Sequence, residues 1–434
     1  MSDLSITYRP PGELIEHPGN ARTHSKKQIR QIARSIEAFG FTNPILIDEN
    51  DQLIAGHGRL AAANALDLAR VPVIRLEGLS EPQKRGLMLA DNKIAENSGW
   101  DNERLRIELA DLSSMELDFE LDEIGFEAAE IDLAIGESED GKEIETAPEP
   151  NADVNPITGL GDIWALETHR VMCGNARVAA DLRHLMEDDL ADAVFTDPPY
   201  NVRVDGHVGG KGKVKHREFS EASGEMSDGE FQAFLEATLT NAAGFSRPGS
   251  VHYVCMDWRH ATELASVGSK AIGPQINLCV WVKTNGGMGS LYRSQHELVL
   301  VFAKTGATHR NNVQLGRFGR NRTNVWTYAG VNTFRDGRMD ELRAHPTAKP
   351  VAMVKDALLD VTRRGDIVLD PFGGAGATLM AAAGSGRQAR LLEIDPAYVD
   401  VMLRRWRDDT GEDPVRVSDG ISLSILEAKA ERHE

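Results

Sequence analysis

Asp197-Pro198-Pro199-Tyr200 follows the apolar run Ala193-Val194-Phe195. An acid, a rigid Pro-Pro turn and an aromatic ring at the end of a strand can grip a planar ring that carries an exocyclic amine. The carboxylate and a backbone carbonyl accept the two amine hydrogens, and the aromatic face stacks on the ring. Proline fixes its own φ and biases the preceding residue toward extended geometry, so the carbonyls of this turn point in set directions. A nucleobase amino group is the natural guest, although the same four residues could form no more than a tight turn.

A second group lies nearly two hundred residues later, where 366–378 read DIVLDPFGGAGAT. Ile367-Val368-Leu369 suits a buried parallel strand, and the small residues Ala377 to Ala383 suit a helix. Between them Gly373-Gly374-Ala375-Gly376 forms the strand–glycine loop–helix arrangement that lets backbone approach a nucleoside cofactor closely. Glu393 ends the next apolar run, about 20 residues on, where an acid binds ribose hydroxyls. A glycine-rich turn alone suits NAD, FAD or a phosphate equally well. The opening Asp370-Pro371-Phe372 argues against a dinucleotide, because the acid would repel a pyrophosphate and attract a cationic group.

With these two motifs in this order, the chain resembles the β class of S-adenosylmethionine-dependent amino DNA methyltransferases. Further strings carry the likeness: CGNA (Cys173–Ala176), WVKTNGGMG (Trp281–Gly289), YRSQHE (Tyr292–Glu297), NVW (Asn324–Trp326), HPTAKP (His345–Pro350) and LLEIDPAY (Leu391–Tyr398). The match runs over residues 156–408. It implies a Rossmann-like α/β sheet flanked by helices, with Asp197, Pro198, Pro199 and Tyr200 as the catalytic turn. For the cofactor S-adenosyl-L-methionine it implies Asp197, Asp370, Phe372, Gly373, Gly374, Gly376, Thr378 and Glu393. Asn175 stands where the family commonly has Asp, and Thr347, Lys349 and Pro350 close the methionine side, with Lys349 placed to pair the cofactor carboxylate. The region around Trp281, Lys283, Tyr292, Arg293, His296 and Glu297 lines the target-base pocket in the family. Double-stranded DNA is the implied substrate, and homodimers are common in the class. Adenine N6 is the implied target because Asp rather than Ser precedes Pro-Pro; cytosine N4 is the alternative. A non-catalytic DNA-binding or scaffold protein is the alternative of a different class.

The 434 residues suffice for two domains, and with 41% hydrophobic residues and no apolar run near 18 a soluble, cytoplasmic protein of a bacterium or phage is expected, with no membrane span. Cys173, Cys255 and Cys279 are too scattered for a zinc site or a disulfide framework, and no metal is expected. The net charge of −19 is unevenly spread. Residues 101–150 carry 3 Lys or Arg and 18 Asp or Glu, or −15, whereas 1–100 are balanced and 151–434 carry −4. DNA contact needs only a local basic face. Lys211, Lys213, Lys215 and Arg217, in a glycine-rich loop after the Pro-Pro turn, and Arg317, Arg320 and Arg322, before NVW, are its candidates. The loop 201–227 is expected to move without DNA, and polar residues 308–343 read as the target-recognition segment.

Residues 1–100 have their own pattern. An amphipathic helix over Lys26 to Phe39 ends at Gly40; strands follow at Pro44 to Ile47, Leu53 to Ala55 and Val71 to Leu76, with an alanine-rich helix over Leu60 to Leu66. This α+β order resembles a ParB/sulfiredoxin-like domain, in which a comparable GxxR turn binds a nucleoside triphosphate. Gly56 and Arg59 are the corresponding candidates for a nucleotide or anion site. Family members usually carry an acid and a second arginine where His57 and Gly58 stand, so a degenerate DNA-contact or dimerisation module is the favoured reading over nucleotide binding. Residues 101–155 read as an acidic helical segment and linker, 156–420 as the methyltransferase domain and 421–434 as a tail.

Overall fold

The computed structural model describes residues 4–115, 117–136, 150, 155–201, 224–283, 286, 291–316, 320–329 and 349–432. Two compact units divide the chain, Met1–Glu137 and Ser138–Glu434. Among the described residues no helix is long and apolar enough to cross a membrane.

In the first unit, strands β1 (Ile6–Arg9), β2 (Ile45–Ile47), β3 (Leu53–Ala55) and β4 (Val71–Arg75) form a sheet in the order β1-β4-β2-β3. Helix α1 (Lys26–Phe39) is capped by the Ser25 hydroxyl, which accepts from Gln28 N at 3.1 Å, and it stops at Gly40, whose φ is 78°. Helix α2 (His57–Ala65) begins three residues earlier than its alanine run suggests. Gly56, at φ 102°, supplies the left-handed turn that starts it, so His57, Gly58 and Arg59 belong to its first turn. Asp48 closes the β2–β3 turn by accepting from Asn50 N and Gln52 N, and it is pinned by Lys84 of α3 (Glu81–Glu96) at 2.9 Å. Strand β1 and helix α3 were not anticipated from the sequence pattern. The acidic stretch then folds as two helices, α4 (Asn102–Ser114), capped by Asp101, and α5 (Ala128–Gly136). Leu109, Ala129 and Ile131 are buried there.

The second unit is built on a ten-stranded sheet flanked by helices. Its strands are β5 (Ile163–Leu166), β6 (His169–Cys173), β7 (Ala191–Thr196), β8 (Ser246–Met256), β9 (Gln275–Val282), β10 (His296–Ala303), β11 (Val325–Thr327), β12 (Ile367–Asp370), β13 (Gln388–Glu393) and β14 (Val415–Arg416). The helices are α6 (Ala179–Met186), α7 (Asp228–Gly244), α8 (Ala261–Ala271), α9 (Val351–Val361), α10 (Ala377–Ala383), α11 (Pro396–Thr410) and α12 (Leu423–Ala430). Strand order is β11-β9-β10-β8-β7-β12-β13-β6-β5-β14. The central five, from β8 to β6, pair parallel, and their runs are almost continuously apolar because both faces are covered.

One expectation is corrected here. Residues 421–434 are not a tail: α12 buries Leu423 completely, and Glu427 pairs with Arg404 and Arg407 of α11 at 2.7 Å each. Among the described residues of 308–343, a short segment joins the sheet. Strand β11 lies within it and pairs parallel with β9, and Trp326 is buried against the core. Asn312 caps the end of α9 by donating to Leu359 O and Thr362 O.

The decisive topological fact is the adjacency of β7 and β12, in register at Val368↔Ala193 and Leu369↔Val194. From β7 the chain leads through α7 to β8 on one side; from β12 it leads through α10 to β13 on the other. The two turns leaving these strands therefore diverge and open a crevice at their carboxyl ends. The glycine turn after β12 tolerates little change. Gly376 has φ 82°, and a β-carbon there would lie 2.8 Å from Met402 Cγ on α11. Gly376→Ala is expected to lower stability by about 1–3 kcal/mol in urea unfolding, from overpacking and a left-handed backbone.

Candidate active site

The two motif turns leave β7 and β12 side by side. Asp197 follows the last residue of β7 and keeps 26% of its side chain exposed, so one face of the carboxylate remains open. Its oxygens are both engaged from within the chain: Oδ1 accepts from the Tyr200 hydroxyl, and Oδ2 accepts from the Lys349 ammonium. Asn201, at φ 54°, ends the turn and ties it to the start of α7. Its amide donates to Met226 O at 2.8 Å and its oxygen accepts from Gly224 N and Met226 N. Asn tolerates this left-handed backbone better than most residues.

Lys349 is 95% buried at its side chain and spends all three N–H donors: on Asp197, on Glu297 Oε2 at 3.0 Å and on the Tyr200 oxygen at 3.2 Å. It also lies 5.6 Å from the centre of the Tyr200 ring and 5.8 Å from that of Trp281. Glu297, on β10 opposite Trp281 of β9, accepts from Lys283 through its other oxygen. Burial opposes the charge on Lys349, but Asp197 and Glu297 outweigh it and hold its pKa above the ordinary range. Burial would raise Glu297, yet Lys349 and Lys283 bring it down to about 2. Asp197 is raised, first by burial, with Lys349 offsetting and Glu297 reinforcing the shift.

The β12 turn makes the second half of the site. Asp370 is buried, accepting from the Thr378 hydroxyl at 2.6 Å and from Phe372 N at 3.0 Å. Glu393, at the end of β13, accepts from Gly374 N and Asp395 N, both at 2.9 Å. Gly374, at φ 50°, faces open space: a β-carbon there would meet nothing within 4 Å. Burial pushes Asp370 up to about 6 and Glu393 up to about 7. Such a pair suits a ligand that brings positive charge and hydroxyl donors and disfavours a phosphate.

Of the residues singled out from sequence, the structure brings Asp197, Pro198, Pro199, Tyr200 and Lys349 together at the end of β7. It brings Asp370, Phe372, Gly373, Gly374, Gly376, Thr378 and Glu393 together at the ends of β12 and β13. Asn175 follows β6, which pairs β13 at Glu393↔Cys173; its side-chain oxygen closes a local turn with Arg177 N at 2.8 Å. Pro350 caps α9. Lys349 does not stand free for a cofactor carboxylate; its partners are Asp197 and Glu297.

Arg320 and Arg322 are likewise corrected as DNA contacts. Arg320 bonds Asp360 at 2.8 Å and Asp356 at 3.3 Å, with 8% of its side chain exposed. Arg322 pairs Asp356 at 2.8 Å and Asp360 at 2.9 Å. Both guanidinium groups therefore fasten the segment before β11 to α9. Lys211, Lys213, Lys215, Arg217, Arg317 and Thr347 lie outside the described residues, as do most of the loop 201–227 and residues 330–343. The sequence pattern placed Glu297 and Lys283 only in the region lining the target-base pocket, not as ion partners of Lys349. The available signal was a charged residue heading the apolar strand Leu298 to Phe302.

Comparison with known families agrees with this geometry. A DNA methylase family model matches residues 191–404, which include both turns, Glu297, Lys349 and Glu393. Residues 191–404 belong to the DNA methylases. The chain is a DNA methyltransferase with a ParB N-terminal domain at residues 5–93, and residues 103–160 match a ParB-methyltransferase helix-turn-helix domain. The last match covers most of the stretch that reads from sequence as an acidic helical segment and linker. Among similar proteins, the type II methyltransferase M.HpaI of Haemophilus parainfluenzae is 25% identical over 250 residues, 54% of this chain and 73% of that protein. The DNA adenine methyltransferase YhdJ of Escherichia coli is 37% identical over 120 residues, 26% of this chain and 40% of that one. The ParB-like nuclease domain-containing protein YnaK, also of Escherichia coli, is 54% identical over 82 residues, 19% of this chain and 94% of that one.

The elevated acids give the methylase a defined pH behaviour. Folding favours the protonated forms of Asp370 and Glu393, so their stabilising contribution is present at low pH and lost as pH rises through about 6 and 7. The melting temperature of the methylase alone is expected to fall between about pH 4.5 and 7 in scanning fluorimetry. Glu393→Gln should flatten the part of that decline nearest pH 7.

Proposed function

We propose that this methylase transfers the methyl group of S-adenosylmethionine to N6 of an adenine flipped out of double-stranded DNA. The observation that carries this reading is the adjacency of the Asp197–Tyr200 turn to the Asp370–Gly376 turn at the diverging ends of β7 and β12. An amine gripped by the first would lie against a methyl donor held by the second. The residues present suit that donor. Asp370 is placed for its cationic methionine end, Glu393 for its ribose hydroxyls and Asn175 for its adenine, while the open side of Gly374 lets backbone approach it. When bound, S-adenosylmethionine supplies an electrophilic methyl group.

The chain's own work is to present the amine. A paired adenine must leave the stack, at roughly a few kcal/mol. Tyr200 then stacks on the flipped ring while Asp197 and the Pro198 carbonyl accept from the amine. These contacts turn the nitrogen lone pair toward the methyl group, and proximity and orientation supply much of the rate. The reaction needs no enzyme nucleophile, and the three cysteines are buried. Adenine is favoured over cytosine by Asp197 ahead of Pro-Pro and by the likeness to an adenine methyltransferase. Phosphate contact is assigned to Lys211, Lys213, Lys215 and Arg217 on their position after the turn.

In the N-terminal unit the turn at Gly56 supports an anion site. His57 Nε2 and Arg59 Nε are buried at the first turn of α2 without hydrogen-bond partners among the described residues. Calorimetric titration with nucleoside triphosphates should detect binding that Arg59→Ala abolishes.

Asp197→Ala is expected to lower methyl transfer to DNA from labelled cofactor about 100-fold or more, with cofactor binding retained. Digesting the methylated DNA to nucleosides and weighing the product identifies the base. N6-methyl-2′-deoxyadenosine is expected, and N4-methyl-2′-deoxycytidine alone would overturn the choice of adenine.

A further inference from the structure

The acceptor on which the proposed reaction depends sits in a difficult place. Asp197 is largely withdrawn from water, and a second carboxylate, Glu297, shares its ammonium partner at 3.0 Å. A buried acid beside another acid takes up a proton, and a protonated Asp197 could no longer accept from a base amine through both oxygens. The surrounding charges decide which form persists. Facing Asp197 are Tyr200 on its own turn, Cys255 on β8, Lys283 beyond the end of β9 through Glu297 on β10, Lys349 before α9, and Asp370 on β12. Two of these are cations, and of the two Lys349 reaches Asp197 directly.

We propose that Lys349, braced by Glu297 and Lys283, is a positioning residue that keeps Asp197 ionised and turned toward the target amine. The geometry assigns each member a task. Lys349 occupies Oδ2 and so fixes the rotation of the carboxylate, leaving Oδ1 and its Tyr200 bond as the exchangeable side that an amine takes over. Glu297 accepts from the same ammonium at 3.0 Å, and Lys283 neutralises Glu297 through its other oxygen, so the four charges sum to zero. The aromatic faces of Trp281 and Tyr200 line the remaining approach to the ammonium. A buried pair of this kind is costly to break from one side, because removing the cation strands an uncompensated carboxylate.

This inference rests on the reading of Asp197 as the amine acceptor, and the experiment separates the two. The full-length methylase and its Lys349→Met, Lys349→Arg and Asp197→Ala variants would be compared for kcat against pH on methylatable DNA and for cofactor affinity. Lys349→Met is expected to lose at least tenfold in kcat at pH 7 and to regain most of it by pH 9. Its acid limb thus moves up by more than one pH unit, while its cofactor Kd stays within twofold of the parent. Lys349→Arg, which keeps the charge, should leave the limb in place. Lys349→Gln carries the same test should the methionine variant not fold. A loss equal at every pH would overturn the proposal and leave Lys349 a structural residue. A tenfold rise in cofactor Kd with an unmoved limb would overturn it in favour of a cofactor contact. Retained activity in Asp197→Ala would instead overturn the reading of Asp197 itself.

Discussion

The methyltransferase unit depends on one pairing, that of β7 with β12 at the centre of its sheet. Parallel neighbours whose following segments run to opposite sides cannot fill the space beyond their ends, and the crevice this leaves is where a ligand fits. Strands that support it must be buried on both faces, which accounts for the near-total burial of Ala193–Thr196 and Ile367–Asp370. The glycine turn, the Pro-Pro turn and the end of β13 then meet without needing further adjustment. Mixed pairing at the two flanks of the sheet adds β9, β10 and β11 on one side, and these bring Trp281, Lys283 and Glu297 to the same end.

Bringing carboxyl groups together in a protected crevice creates an electrostatic problem, and the two halves of the site solve it differently. At the β7 end, Asp197 and Glu297 are matched by Lys349 and Lys283, so charge is neutralised internally. At the β12 end, Asp370 and Glu393 have hydroxyl and backbone N–H donors but no cation among the contacts that hold them. That end carries an unmet preference for positive charge, and the first does not. The contrast fits the proposed roles, in which Asp197 faces a neutral amine and Asp370 a cationic donor.

The N-terminal unit poses a different question. Residues 103–160, matched by a helix-turn-helix model, carry 3 Lys or Arg and 18 Asp or Glu. Helical geometry by itself does not bring phosphate affinity, and this composition opposes it. The buried atoms of His57 and Arg59 make the α2 turn the chemically distinctive place in that unit.

Much of this was legible in the chain itself. The apolar runs ending in Asp-Pro predicted β7 and β12, Ala377 to Ala383 proved to be α10, and Lys26 to Phe39 proved to be α1, because periodicity and glycine stops act locally. Local rules gave no access to contacts between distant segments. Arg320 and Arg322 look like free basic groups in a polar stretch, and only the packing of α9 supplies Asp356 and Asp360, 34 to 40 residues away. Lys349 reads as a surface or cofactor lysine until the fold sets it beside an acid 152 residues earlier in the chain. Sequence alone thus determined which residues could do the chemistry and on which strand ends they sit. Tertiary structure decided which charges meet, since the strength of an ion pair depends on distance and burial, and neither is a property of the chain before it folds.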